Sequence, residues 1–305
     1  MTLPRLTSGG LELDLSAESF GWLRDSNDAI GDLQELRTRM ANDGYLFLPG
    51  FYDREEVRAV RRSICQVLED DGLLDPDFPL EAAMAKPGIS TYFRPDIANG
   101  SAARPLLERV IYGEKIMAFF SEFLGGPAMH YTFTWLRTIA PGKGTYPHCD
   151  VVYMGRGTAN VYTAWTPLGD VPLEVGGLIV VEGSNRNEEL RRSYCEMDVD
   201  TACQNLGGKS QTDSAGHPMF GAIGVDMPGL RKRLGGRLLT APEYRMGDLL
   251  IFSIFTVHGS LDNSSREIRM SSDSRYQLAS EPADERWIGE TPPGHGGAMV
   301  REMIC

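Results

Sequence analysis

The spacing of apolar residues along the chain changes character near residue 128. Before that point the pattern is helical. The stretch 31-GDLQELRTRMANDG-44 reads as a helix, and 45-YLFLPGF-51 as a short apolar strand stopped by Pro49 and Gly50. A clear amphipathic helix follows in 53-DREEVRAVRRSICQVLEDDG-72. Asp53 and Glu56 make a capping box, Val57, Val60, Ile64 and Val67 share one face, and Gly72 ends it. The Pro-rich run 75-DPDFPLEAAMAKPGISTYFRPD-96 predicts a surface loop. A second helix is expected within 105-PLLERVIYGEKIMAFFSEFLGG-126, with Pro105 in its first turn and a glycine pair closing it.

From residue 128 onward, short β-rich runs alternate with Gly, Pro and Asn: 130-HYTFTWLRTIA-140, 146-YPHCDVVY-153, 160-NVYTAWTPL-168, 176-GGLIVVEG-183, 248-DLLIFSIFTVHGS-260 and 267-EIRMSSDSRYQL-278. Serial short strands with turn signals predict an antiparallel sandwich or barrel. Between them, residues 184 to 236 are Gly-rich and polar with little periodicity, as in an inserted lid. Gly207, Gly208, Gly216, Gly221 and Gly224 would serve as hinges. Met219, Phe220, Ile223 and Val225 would supply apolar contact, with Met219 and Phe220 placed against the substrate. The expected organisation is one domain over 1–305: a mostly helical part to 127, a β core over 128–280 and a tail over 281–305.

Composition narrows the function. A formal charge of −12 argues against non-specific nucleic-acid binding, which needs a basic footprint. The start of the chain lacks a signal-peptide core, and no run approaches the ~20 apolar residues of a membrane span. Cysteines 65, 149, 195, 203 and 305 are odd in number and widely spaced, without C-x-x-C. These features together predict a cytoplasmic protein with free thiols, acting on a small molecule and not on nucleic acid or membrane.

Candidate chemistry starts in 146-YPHCDVVY-153. If this run is a strand, His148 and Asp150 project from one side and Cys149 from the other. A lone H-x-D is more often an ordinary polar pair than half a metal site. In 247-GDLLIFSIFTVHGSLDNSSREIRMSSDSRYQ-277, however, an apolar strand is expected to deliver His258 at its polar end, and the next strand carries Arg269 eleven residues later. Two histidines and a carboxylate on a β scaffold are the ligand set of a non-haem Fe(II) oxygenase. An arginine nearby suits bidentate capture of a carboxylate.

This constellation resembles the phytanoyl-CoA dioxygenase (PhyH) family of Fe(II)- and 2-oxoglutarate-dependent oxygenases. The matching elements are H148-x-D150, 175-VGGLIVVEGSN-185, G247-D-L-L-I-F, H258-G-S, N263-x-S265, R269 and R275-Y-Q277, in that order. The resemblance implies a mainly β fold with flanking α: a double-stranded β-helix, or cupin-like jelly-roll barrel, packed on N-terminal helices. It implies His148, Asp150 and His258 as metal ligands and as the catalytic centre. Arg269 would pair with the distal carboxylate of 2-oxoglutarate, with Ser260 and Trp165 beside it and Thr138 and Arg137 as further pocket residues. The implied cofactors are Fe(II), 2-oxoglutarate and O2, with ascorbate as an auxiliary reductant. The implied reaction is hydroxylation, or another oxidation, of an unactivated C–H bond, giving succinate and CO2. Desaturation, epoxidation or rearrangement by the same chemistry stays open, as does a silent ligand-binding barrel. Retention of Asp150 favours oxidation over halogenation, for which related enzymes place a small residue there.

Other candidates read more plainly. His130, His217 and His295 are expected to be ordinary polar or surface histidines, His130 the least so because its strand should line the barrel. Cys149, Tyr131, Phe133 and Trp135 read as packing residues. Arg275 either braces the co-substrate or pairs with an acid such as Asp273. No basic cluster suits the phosphates of coenzyme A, so a secondary metabolite is favoured as substrate.

Overall fold

The computed structural model describes residues 3–205 and 221–295. Its larger sheet is antiparallel, in the order Tyr45–Leu48, Leu249–Ser253, Tyr162–Pro167, Arg269–Leu278 and Ala128–His130. Trp135–Ile139 also pairs with the first half of Arg269–Leu278. The smaller sheet runs His258–Ser260, Leu178–Val181, Leu238–Thr240 and Phe20–Trp22, the last in parallel pairing. The fold is the double-stranded β-helix that the family resemblance implies.

The apolar runs 45-YLFL-48 and 249-LLIFS-253 do not alternate polar with apolar because both faces are covered. Tyr45, Phe47, Trp165, Leu250 and Phe252 pack between the sheets with Leu178 and Val180. Leu46, Leu48, Leu249, Ile251, Met270 and Tyr276 turn the other way, onto the helices Arg54–Asp70, Arg104–Ile111 and Glu114–Leu124. The same parity governs the strand Arg269–Leu278. Its even positions meet the helices, where Tyr276 stacks on Phe120 at 4.1 Å. Arg269, Ser271, Asp273, Arg275 and Gln277 therefore share the inner face.

Several expectations need correction. Asp53 does cap its helix, accepting from the N–H groups of Glu55 and Glu56, and the buried face adds Leu68 to Val57, Val60 and Ile64, with Val67 half-buried against the same core. The helix expected within 105–126 is two, separated at Gly113, where a Cβ would meet the Arg109 carbonyl at 2.1 Å. The 75–96 run is largely irregular and exposed or half-buried, as expected, but it is tied into the fold. Ala83 and Ala85 are buried, Met84 bridges to Glu267 and Phe93 to Arg137. The N-terminal part also gives the smaller sheet its Phe20–Trp22 edge, a long-range pairing that local periodicity does not reveal. Where 184–236 showed little pattern, its described residues form the helices Glu188–Arg191, Val199–Asn205 and Met227–Leu234. Met219, Phe220, Gly207, Gly208, Gly216 and His217 lie outside the described residues.

Candidate metal centre and co-substrate pocket

The 146–153 run is not a strand. His148 makes one bridge, Asp150 sits in a turn and Val151–Met154 is a helical turn. Nor does one strand run from 248 to 260. Leu249–Ser253 belongs to the larger sheet, the chain turns a corner, and His258–Ser260 enters the smaller sheet. Neither departure separates the ligands. The backbones of His148 and His258 exchange both hydrogen bonds, at 2.9 and 3.0 Å, so residues distant in sequence become direct neighbours.

Glycines make this approach possible. A Cβ on Gly144 would lie 2.4 Å from both the Ser260 hydroxyl and the Leu261 carbonyl. One on Gly259 would lie 2.8 Å from the Thr145 carbonyl. The ligand turn and the ligand strand thus touch where side chains are missing.

The side chains then converge. Ligand atoms of His148, Asp150 and His258 all lie within 4.8 Å of one another, and all three residues are buried. Nδ1 of His148 lies 2.8 Å from the Tyr146 carbonyl, and Nδ1 of His258 lies 3.0 Å from the Thr256 carbonyl. A carbonyl only accepts, so each Nδ1 carries the proton and each Nε2 presents a lone pair. Those Nε2 atoms stand 3.7 and 3.6 Å from Asp150 Oδ1. Burial, with His258 alongside, pushes the His148 imidazolium down to about 3, and burial lowers His258 as well. Both rings are neutral near pH 7, as metal ligation requires.

Asp150 is divided by function. Oδ1 faces the imidazoles, while Oδ2 accepts from Thr163 Oγ1 at 2.5 Å and from Arg275 Nη2 at 3.0 Å. Burial alone would raise its pKa. Arg275, then the two histidines, outweigh that and hold the carboxyl well below its usual range. Arg275 lies over the Trp135 ring at 4.2 Å, and its Nε and Nη1 have no hydrogen-bond partner. Two neutral nitrogens and one ionised oxygen fit a divalent iron that keeps open coordination positions.

Arg269 occupies the inner face of the same long strand. It is 2% exposed, its Nη1 donates to the Gly176 carbonyl, and its Nε has no partner. Burial pushes its pKa down to about 10, still far enough above neutrality to keep the charge. Among the described residues no carboxylate forms an ion pair with it. A buried cation with an unsatisfied donor is built for an anion from outside the chain.

The remaining predicted residues divide. Trp165 lies between the sheets, edge-on to Tyr244 at 4.8 Å, on the face of its strand that also carries Thr163. Ser260 shares the face of His258, and its oxygen accepts from the Thr145 N–H at 2.8 Å, leaving its hydrogen to donate. Thr138 is not brought to the others. It pairs with Met270 on the helix-facing side and bonds Thr91 at 2.6 Å. Arg137 is on the inner face and holds Asp273 at 2.8 Å, so Arg275 pairs with Asp150 and not with Asp273. Cys149 is buried, with its Sγ directed at the Phe255 carbonyl. Phe133 and Trp135 pack together at 4.7 Å, and Tyr131 is fully buried. His130 stacks on Tyr112 at 3.7 Å. His295 is not a surface residue. It is 2% exposed and pairs with Asp200 at 2.9 Å. Sequence reasoning missed Thr163, although its two-residue spacing from Trp165 put it on the same face.

Comparison with known proteins agrees with this geometry. The family model for phytanoyl-CoA dioxygenase (PhyH) matches residues 40–271. The chain belongs to the PhyH family. It is a non-haem Fe(II)/2-oxoglutarate-dependent dioxygenase. Among curated relatives, the 1-deoxypentalenic acid 11-beta-hydroxylase of Streptomyces exfoliatus is 27% identical over 267 residues, covering 84% of this chain and 85% of that protein. The enzyme of the same name from Streptomyces arenae is 25% identical, covering 86% and 87%. Among solved structures, the epimerase SnoN in complex with Fe3+, alpha ketoglutarate and nogalamycin RO superposes with a TM-score of 0.52 at 22% identity, covering 88% of this chain and 93% of that one. The likeness to SnoN shows a shared fold. No helix among the described residues is long and apolar enough to cross a membrane.

Proposed function

We propose that this dioxygenase hydroxylates an unactivated C–H bond of a small secondary metabolite, with His148, Asp150 and His258 holding the iron and Arg269 the co-substrate. Iron and 2-oxoglutarate, when bound, supply the means to activate O2, with succinate and CO2 as co-products. The chain's own residues set the stage. Thr163 and Arg275 occupy Asp150 Oδ2, leaving Oδ1 as the single oxygen that faces the imidazoles. The Tyr146 and Thr256 carbonyls fix both ring tautomers. Arg269 offers its fork to the distal carboxylate, with the Ser260 hydroxyl as a second donor and Trp165 as an apolar wall.

The observation that carries this reading is the convergence of three ligand atoms within 4.8 Å, with a buried guanidinium on the inner face that has no carboxylate partner among the described residues. Hydroxylation is chosen because the curated relatives are hydroxylases. The described residues after 220 reach the ligand turn, where the Ile223 N–H donates to the Pro147 carbonyl at 2.8 Å, beside His148. A cytoplasmic setting accords with the free thiols of Cys65, Cys149 and Cys195. The test is succinate release from Fe(II), 2-oxoglutarate and O2 over a metabolite panel that includes 1-deoxypentalenic acid, with mass spectrometry of the products. A substrate that gains one oxygen atom for each succinate formed supports the reading. No 2-oxoglutarate turnover with or without the panel would defeat it.

A further inference from the structure

A cavity whose walls reach the metal ligands through Tyr153 and Trp135 has a lining that includes neither the triad nor Arg269. It is a partly open cleft of about 720 Å3 between the 90–95 segment, Phe133, Trp287 and the stretch from Pro292 to His295. That is the size of a small-molecule chamber, for which roughly 300–1,000 Å3 is usual. Two runs of contacts join it to the triad. The His295 ring lies 6.2 Å from Tyr153, and Tyr153 lies 5.6 Å from His148. On the other wall Trp287 packs 4.8 Å from Trp135, whose face carries Arg275, the partner of Asp150.

The walls are aromatic. Phe93 and Phe133 stack at 6.2 Å and 21°, and Phe133 meets Trp287 edge-on at 5.0 Å. The Trp287 N–H is already given to the Tyr153 carbonyl at 3.1 Å, so the indole offers its ring and not its donor. Arg94 is clamped by Asp71 at 2.7 Å and Asp96 at 2.6 Å. The other polar lining residues are Ser90, Thr91, Tyr92 and His295.

The C-terminal wall is fastened from behind. Arg286 grips Asp284 at 2.6 Å, Asp200 at 2.8 Å and Asp198 at 3.2 Å, and His295 Nδ1 meets Asp200 at 2.9 Å. The Thr132 N–H donates to the Trp287 carbonyl at 3.0 Å. A buried ionic cluster therefore ties residues 284–295 to the helix Val199–Asn205, and the wall is built into the fold.

We propose that this cavity is the substrate chamber, with residues 287–295 as its fixed wall, and that it takes an apolar, ring-containing molecule. This rests on the dioxygenase reading above and adds the substrate's chemistry. A coenzyme A ester would bring phosphates to a wall whose described arginine is already neutralised by two carboxylates. Aromatic faces instead reward a hydrocarbon ring through area burial and stacking.

The test is anaerobic calorimetry on the full chain loaded with Fe(II) and 2-oxoglutarate, titrated with 2-naphthol, 1-deoxypentalenic acid and acetyl-CoA. At least one ring probe binds and acetyl-CoA does not compete. Phe93→Ala, at the cavity edge, weakens that probe roughly tenfold. Trp287→Phe keeps an aromatic wall while losing part of its area, and weakens it less. Equal probe affinity in wild type and both variants, displacement by acetyl-CoA, or failure of wild type to bind either ring probe would each overturn the chamber. Probe-independent 2-oxoglutarate consumption is measured in parallel. Absence of 2-oxoglutarate turnover with and without every compound of the metabolite panel, alongside intact probe binding, would sink the dioxygenase reading and not the cavity, so the two failures are told apart.

Discussion

Replacing Arg269 with Ala isolates the co-substrate pocket from the metal centre. The guanidinium is buried, and among the described residues it has the Gly176 carbonyl as its hydrogen-bond partner and no carboxylate. A 2-oxoglutarate carboxylate placed there would form a desolvated, charge-assisted pair. Removing one side of such a pair costs about 3–5 kcal/mol, or two to three powers of ten or more in affinity. The apparent KM for 2-oxoglutarate, followed by succinate release, should therefore rise at least about a hundredfold. Fe(II) affinity should hardly move, because Arg269 touches no metal ligand. Arg269→Lys should recover only part of the loss, since a point charge cannot reproduce the planar fork. Without ligand, the same charge is an uncompensated burden, so Arg269→Met should melt no lower than wild type. An unchanged KM in Arg269→Ala would refute the reasoning and move the carboxylate to another cation, with the unsatisfied donors of Arg275 first in line.

Thr163→Val and Arg275→Met each strip one partner from Asp150 Oδ2 and should weaken Fe(II) binding roughly 10–100-fold; unaltered affinity in both by anaerobic calorimetry would show that the bracing is idle. Because burial lowers His148 to about 3 and His258 below its ordinary value, iron binding at pH 6 should release fewer imidazole protons than the about 1.5 that two ordinary histidines would give up. Titration in buffers of different ionisation enthalpy distinguishes the two values. Since the folded pKa of His148 lies below its unfolded value of 6.5, the unfolded chain takes up the proton first. Its contribution to metal-free stability should thus fall as pH drops from about 6.5 toward 3, a loss that His148→Gln removes from the melting profile. Gly144→Ala forces a methyl against the Ser260 hydroxyl and Leu261 carbonyl and should lower stability by about 1–3 kcal/mol in denaturant titration; a neutral substitution would show that the ligand strand is free to shift.

What the sequence disclosed follows from the kind of order involved. His148, Asp150, His258 and Arg269 were legible because they fall in short motifs whose order and spacing survive whatever the backbone does between them. The backbone itself was misread: 146–153 is a turn and the chain breaks between Ser253 and His258. Apolar runs look alike as one long strand or as a strand, a corner and a second strand, and periodicity does not separate them. Thr163 and Thr138 show the value of parity. Each sits on a predicted strand, yet only knowledge of which partner face is buried sends Thr163 to Asp150 and Thr138 to Thr91. His295 and the Arg286 cluster escaped because their partners Asp198 and Asp200 lie in a stretch without pattern, and long-range ion pairs leave no local signature.

The central claim is that His148, Asp150 and His258 hold one iron. Anaerobic calorimetry with Fe(II) tests it most directly. The structure predicts one ion bound per chain, with binding lost in His148→Ala and in His258→Ala, since each removes one of three protein ligands. Full-affinity binding retained in both variants would contradict it.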